Sequence, residues 1–146
     1  MNDNSFYQVC FNDALETKEQ VYDFVSTIAC PHHSYQQRQA IIHQLNEREK
    51  VGSPLIAEHV LLPHMESNLL EESQIVFLRL TKPILFWDNN IEDIRLIIII
   101  LLKADEQEEI KKKISLFTRS LADEDYLNRL LNAEEPSSLY KEIITF

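Results

Sequence analysis

Arg48 and His64 bracket one short stretch of this chain, Arg-Glu-Lys-Val-Gly-Ser-Pro-Leu-Ile-Ala-Glu-His-Val-Leu-Leu-Pro-His. A neutral imidazole is a nucleophile near neutral pH. A guanidinium is the side chain best shaped to clasp a phosphate. The stretch leaves a helix, passes the only glycine of the chain, Gly52, and runs through an apolar segment to Pro63 and His64. A histidine just after a short strand is rigidly held and still meets solvent. Pro63 stiffens the approach by fixing one backbone torsion and removing a donor. These residue types suggest a phosphorylatable histidine with a basic clamp. A strand-end histidine is also an ordinary surface side chain, and the residues alone leave both readings standing.

The other histidines are weaker candidates. His32 and His33 follow Pro31 in a turn between two helices. A paired histidine turn can bind metal, but a solvated turn is the simpler reading. His43 lies within a helix beside its apolar face and reads as a partly buried, hydrogen-bonded side chain. His59 stands five residues before His64. An odd separation on a strand sends two side chains to opposite faces, so the pair acts side by side only if a bend intervenes. No His-Glu-x-x-His pattern or Cys/His cluster is present, and no metal site is assigned. Neither a nucleophile elbow, a P-loop nor a dinucleotide fingerprint occurs, so no cofactor is expected. With a single glycine, a Gly-rich phosphate cradle is excluded. Any phosphate must meet side chains or a helix N-terminus.

The bulk properties set the class. A chain of 146 residues, 45% hydrophobic and 26% charged, suits one globular domain spanning 1–146. A net charge of -10 opposes direct binding to nucleic acid or anionic membranes. The basic run Lys111 to Lys113 points in three directions on a helix and reads as solvated surface. Cys10 and Cys30 fall in no metal or redox pattern and read as reduced thiols. The N-terminus lacks a basic-then-apolar signal. The longest apolar run, Leu96 to Leu102, is seven residues, against roughly twenty for a membrane span. A soluble, cytoplasmic protein is expected.

The elements that must position Arg48 and His64 follow from periodicity. Phe6 to Phe11 reads as a strand or packed lead-in. Thr17 with Gln20 forms a capping box. Val21, Phe24, Val25 and Ile28 then share one helix face. Ser34 with Gln37 repeats the box, and Ile41, Ile42 and Leu45 are the buried face of a second helix ending near Lys50-Val51-Gly52. Leu55-Ile56 and Val60-Leu61-Leu62 are short strands, and Met65 to Glu72 is a loop. Ser73 to Thr81 is apolar on both faces and belongs inside a covered sheet. Lys82 to Asp93, with Trp87, reads as a connection, and Arg95 to Leu102 as a second buried strand. Asp105 with Glu108 could cap a helix carrying Ile110, Ile114, Phe117 and Leu121. Asp123 opens another, with Tyr126, Leu127, Leu130 and Leu131, and Pro136 suits the first position of a last one. Helices, strands and helices again predict a three-layer α/β sandwich. Its mixed sheet of about five strands would be flanked by helices on both faces.

The stretch resembles the active-site signature of the enzyme IIA domain of the mannitol/fructose class of the bacterial sugar phosphotransferase system. That pattern is Arg-Glu, two residues, Gly-Ser-Thr, then a Gly-spaced run to Gly-Ile-Ala-Ile-Pro-His. Arg48, Glu49, Gly52, Ser53, Ile56, Pro63 and His64 match in register. The strand at 73–81, the Trp87 region, the Ile-rich strand and the tail through Leu130-Leu131 also look like the family. The resemblance implies that His64 is the phosphoryl acceptor and Arg48 the phosphate-stabilising neighbour. It further implies a phosphotransferase component that takes its phosphoryl group from the phosphocarrier HPr and passes it to a cysteine of an enzyme IIB domain. Pro54, Leu55, Ala57, His59, Leu61 and Met65 depart from the pattern. Glu109 stands where the family often has a second histidine. A carboxylate there would hold the His64 N–H yet repel a phosphoryl group by Coulomb's law. These departures carry a second expectation: a regulatory module of a sugar-responsive transcription regulator, phosphorylated for control rather than transport.

Overall fold

The computed structural model describes residues 6–30, 32 and 34–144. Pro31, expected to stop the first helix, and His33, half of the histidine pair, lie outside the described residues. In chain order the elements are β1 (Tyr7–Asn12), α1 (Lys18–Ala29), α2 (Tyr35–Val51), β2 (Leu55–Ala57), β3 (Val60–Leu61) and β4 (His64–Ser67). They continue as β5 (Gln74–Asp88), β6 (Ile91–Lys103), α3 (Glu108–Ser120), α4 (Glu124–Asn132) and α5 (Pro136–Ile144).

Local chemistry sets the helix starts. Thr17 Oγ1 accepts from Gln20 N at 3.1 Å. The Gln20 side chain closes on Glu16 N at 2.7 Å, one residue before the cap. Ser34 and Gln37 form the full reciprocal box, both bonds at 3.3 Å. Asp123 accepts from the N–H groups of Asp125 and Tyr126, and α5 begins at Pro136. The expected Asp105 cap is corrected: the N-cap is Gln107. Asp105 sits at φ 63, in the left-handed region of a turn, and so cannot fill the extended N-cap geometry.

The sheet is mixed, with six strands in the order β1-β5-β6-β3-β2 and β4 also paired to β6. β5 and β6 form a long antiparallel hairpin, with β1 parallel to β5 and β3 and β4 parallel to β6. Val60 faces Leu96 and His64 faces Ile100, so β3 and β4 run along β6 in one constant register. Pro63, with no N–H, interrupts the ladder between them, while its carbonyl still accepts from Ile100 N at 2.9 Å.

Two expectations are corrected here. Met65 to Glu72 is not all loop, because Met65–Ser67 belongs to β4. Lys82 to Asp93 is not a connection but the outer half of the hairpin, with its turn at Asn89-Asn90. Pro83 disguised it. Proline breaks an interior strand, but β1 ends at Asn12 opposite Leu80, and the register shifts between Arg79 and Ile84. Pro83 thus sits on an unpaired edge at an irregularity, where proline is tolerated.

Both faces of the inner half of the hairpin are covered, as the doubly apolar strands there require, while Leu85 and Phe86 of the outer half are exposed. Val76, Leu78, Leu80, Ile97, Ile99 and Leu101 pack with Val21, Tyr22, Val25, Ile41 and Leu45 of α1 and α2. Ile75, Phe77, Leu96, Ile98 and Ile100 pack with Ile114, Phe117, Leu130, Leu139 and Ile143 of α3, α4 and α5. The sandwich is therefore three-layered. Each such side chain, fully buried, contributes about 1.5–3 kcal/mol. Among the described residues no helix is long and apolar enough to cross a membrane.

Candidate functional site

The last turn of α2 carries Arg48, and β4 begins with His64. The chain between them turns back through Gly52 and two short strands, pinned where Leu62 N donates to Pro54 O at 2.7 Å. This brings Arg48 Nη2 to 3.0 Å from His64 Nε2. Gly52 ends α2 with φ -166, extended backbone that any residue adopts. A Cβ there would stand 3.5 Å from Arg48 Nη1, ordinary contact, so the glycine leaves room beside the guanidinium.

The geometry fixes the tautomer. The guanidinium has donors only, so Nε2 must present its lone pair to Arg48. The His64 pKa lies below its ordinary value, first from partial burial and second from the Arg48 charge. A hydrogen bond to the Leu62 backbone opposes them by raising it, the sign of a ring N–H donating to a carbonyl. The resting ring is therefore neutral, with its proton on Nδ1 and its nucleophilic pair on Nε2.

The hollow around these atoms is lined by Tyr22, Leu45, Arg48, Glu49, Gly52, Ser53, Pro54, Leu62, Pro63 and His64, and its free volume is about 20 Å³. That is room for about one water molecule, not for a sugar. His64 itself is exposed on β4.

Glu109 is exposed in the first turn of α3, and among the described residues no hydrogen bond or ion pair joins it to His64 or Arg48. His59 is separate from the site as well. It sits at φ 72 between β2 and β3, and its Nδ1 is 2.8 Å from the Asp93 carbonyl oxygen. His32 is exposed, and so is His43, which corrects the half-buried expectation. His43 falls on the solvent side of α2, between the buried Ile41 and Leu45.

Sequence reasoning matched Glu49 but gave it no role. Its side chain is 8% exposed and accepts from Tyr22 OH at 2.6 Å, Trp87 Nε1 at 2.9 Å and Lys18 Nζ at 3.2 Å. Burial and this carboxylate hold the Tyr22 hydroxyl well above its ordinary pKa. The partners come from α1 and the outer half of β5, and no spacing in the sequence announces them.

An α/β sandwich with an arginine against an exposed histidine has the make-up of a phosphoryl carrier. Residues 7–145 match the family described as phosphoenolpyruvate-dependent sugar phosphotransferase system, EIIA 2, and the chain belongs to it. Among its relatives is the nitrogen regulatory protein of Escherichia coli (strain K12), 29% identical over 134 residues, which are 89% of this chain and 79% of that protein. The fold matches the nitrogen regulatory protein IIA-Ntr from Neisseria meningitidis with a TM-score of 0.72 at 16% identity, covering 95% of this chain and 93% of that one. It also matches the mannitol enzyme IIA in its complex with phosphorylated enzyme IIB from Escherichia coli, TM-score 0.67 at 18% identity, covering 100% and 99%.

Proposed function

We propose that this domain accepts a phosphoryl group from the cytoplasmic phosphocarrier HPr on His64 Nε2 and passes it to an enzyme IIB domain. The observation that carries the reading is the 3.0 Å contact of Arg48 Nη2 with His64 Nε2. In the first step the Nε2 lone pair attacks phosphorus, the donor's P–N bond breaks, and the donor imidazole leaves with the electron pair. In the second, the thiolate of the IIB cysteine attacks the same phosphorus and His64 leaves in turn. Such a transfer needs in-line placement and charge neutralisation more than acid–base chemistry. Arg48 rests on the nucleophile and moves only onto the incoming phosphate oxygens, where a guanidinium binds two at once. The exposure of His64 and the small hollow suit a protein donor. A net charge of -10 suits a basic partner surface.

A second reading, a regulatory module phosphorylated for control, is favoured by the relatives named for nitrogen regulation. In it His64 accepts the phosphoryl group as above, but onward transfer is slow and the output is association with a regulator domain. Glu109 bears on the choice. A carboxylate in the family's second-histidine position would slow transfer by repelling the phosphoryl group whenever α3 brings it near.

Incubation with enzyme I, HPr and phosphoenolpyruvate tests both readings by intact mass. The wild type is expected to gain one phosphoryl group and His64→Ala none. An unlabelled wild type would remove both readings, and labelling without discharge to any enzyme IIB would select the second.

A further inference from the structure

Glu49 follows Arg48 directly, yet the two do not pair. Consecutive residues on a helix diverge by about 100°, and the Glu49 oxygens are committed elsewhere. Oε1 accepts from Tyr22 OH, and Oε2 from Trp87 Nε1 and Lys18 Nζ. The rings of Tyr22 and Trp87 meet edge to face with centroids 5.6 Å apart, which fixes two of the donors relative to each other. A carboxylate only 8% exposed and held by three donors ties the last turn of α2 to α1 and to β5. Among the described residues no carboxylate lies within ion-pair distance of Arg48, whose side chain instead bonds His64.

We propose that Glu49 is a positioning residue for the phosphoryl acceptor: it locks the turn that carries Arg48 and, being neutralised by Lys18, leaves the guanidinium to His64. The proposal rests on the reading of His64 as the acceptor. Glu49 lines the same hollow, but its hydrogen bonds go to Tyr22, Trp87 and Lys18 and none reaches the His64 ring. An arginine side chain loses much rotamer freedom when it is held in place. Fixing its backbone root is how a neighbour holds it on target.

The test is the NMR titration of the His64 ring in the 146-residue chain, assigned by its loss in His64→Ala. It needs no phosphoryl donor. Loss of the Arg48 charge from the ring raises the His64 pKa toward 6.5. Loss of the Glu49 charge by itself would lower it, since a nearby anion favours imidazolium. Positioning and direct charge therefore predict opposite signs. Glu49→Ala is expected to raise the pKa as Arg48→Ala does, and Glu49→Gln to raise it less. The double variant is expected to titrate like Arg48→Ala alone. Should Glu49→Ala fail to fold, Tyr22→Phe and Trp87→Phe each remove one donor and keep a ring in place. Each is expected to shift the titration upward by a smaller amount. An unchanged or lowered pKa in the folded variants would overturn the proposal, as would a double variant shifted beyond Arg48→Ala. A wild type that takes no phosphoryl group would instead sink the functional reading and leave the titration result intact.

Discussion

Two places in this molecule combine an arginine, a histidine and an acidic residue, and they are built in opposite ways. On one side of β6, Arg95 grips Asp93 through Nε at 3.2 Å and Nη2 at 3.0 Å. Arg95 holds the Asp93 carboxyl below its ordinary pKa, and His59 lies against the same residue. At the other place the acid, Glu49, is taken by Tyr22, Trp87 and Lys18, and Arg48 faces the histidine. The residue types are the same and the chemistry is not. A guanidinium gripped by a carboxylate has its charge offset and fewer of its five N–H donors left for an incoming phosphate. One resting on an imidazole lone pair has its donors aimed where a phosphoryl group on that nitrogen would sit. The difference lies in where the carboxylate's bonds go, not in composition.

The largest expected effect breaks the comparison between the two histidines. His64→Ala should abolish phosphoryl labelling, while His59→Ala should label as fast as wild type, both read by intact mass over time. Labelling of His64→Ala would place the acceptor elsewhere. Next come the two arginines. Arg48→Ala removes the donor aimed at developing charge and should slow labelling on the order of 10²- to 10³-fold, the usual loss for one such donor. Arg95→Ala should leave the rate unchanged. Equal slowing by both would mean that global stability, not the clamp, sets the rate.

A third expectation concerns pH. Burial and Arg48 depress the His64 pKa below 6.5, so its reactive neutral form persists into mildly acidic solution. The wild-type labelling rate should therefore hold as pH falls past 6.5, and its acid limb should move up in Arg48→Ala. The linked stability has the same sign. A histidine with a depressed folded pKa stabilises the fold fully above its unfolded value and loses that contribution as pH falls through the folded one. Coincident acid limbs in the two proteins would deny Arg48 its electrostatic role.

Much of this arrangement was legible in the sequence, and for a physical reason. Arg48 and His64 are sixteen residues apart, joined by one short turn and two strands, so their meeting is a nearly local event. Helix faces, caps at Ser34 and Asp123, and the doubly apolar strands follow from periodicities within single elements. The hidden parts depend on pairing. Pro83 looks like a breaker until β1 is known to stop at Asn12. β4 looks like a loop because Pro63 interrupts its ladder and Glu66 faces solvent. Glu49 looks like a helix-surface acid. Its partners Tyr22 and Trp87 are 27 and 38 residues away, and only the packing of α1 and the hairpin on α2 brings them in.

The smallest effect sharpens the contrast between a gripped and an available arginine. Gly52 lies beside Arg48, and a Cβ there would meet Nη1 at 3.5 Å, ordinary van der Waals contact. Its φ of -166 suits any residue, so backbone strain plays no part. Gly52→Ala should therefore label at close to the wild-type rate and gain slightly in stability through a less flexible unfolded chain. Gly52→Val places a branch against the guanidinium. It should slow labelling while melting near the wild type, because the cost falls on the free motion of Arg48 and not on the core. A Gly52→Ala variant as slow as Arg48→Ala would show that the glycine serves backbone movement during transfer rather than space for the arginine.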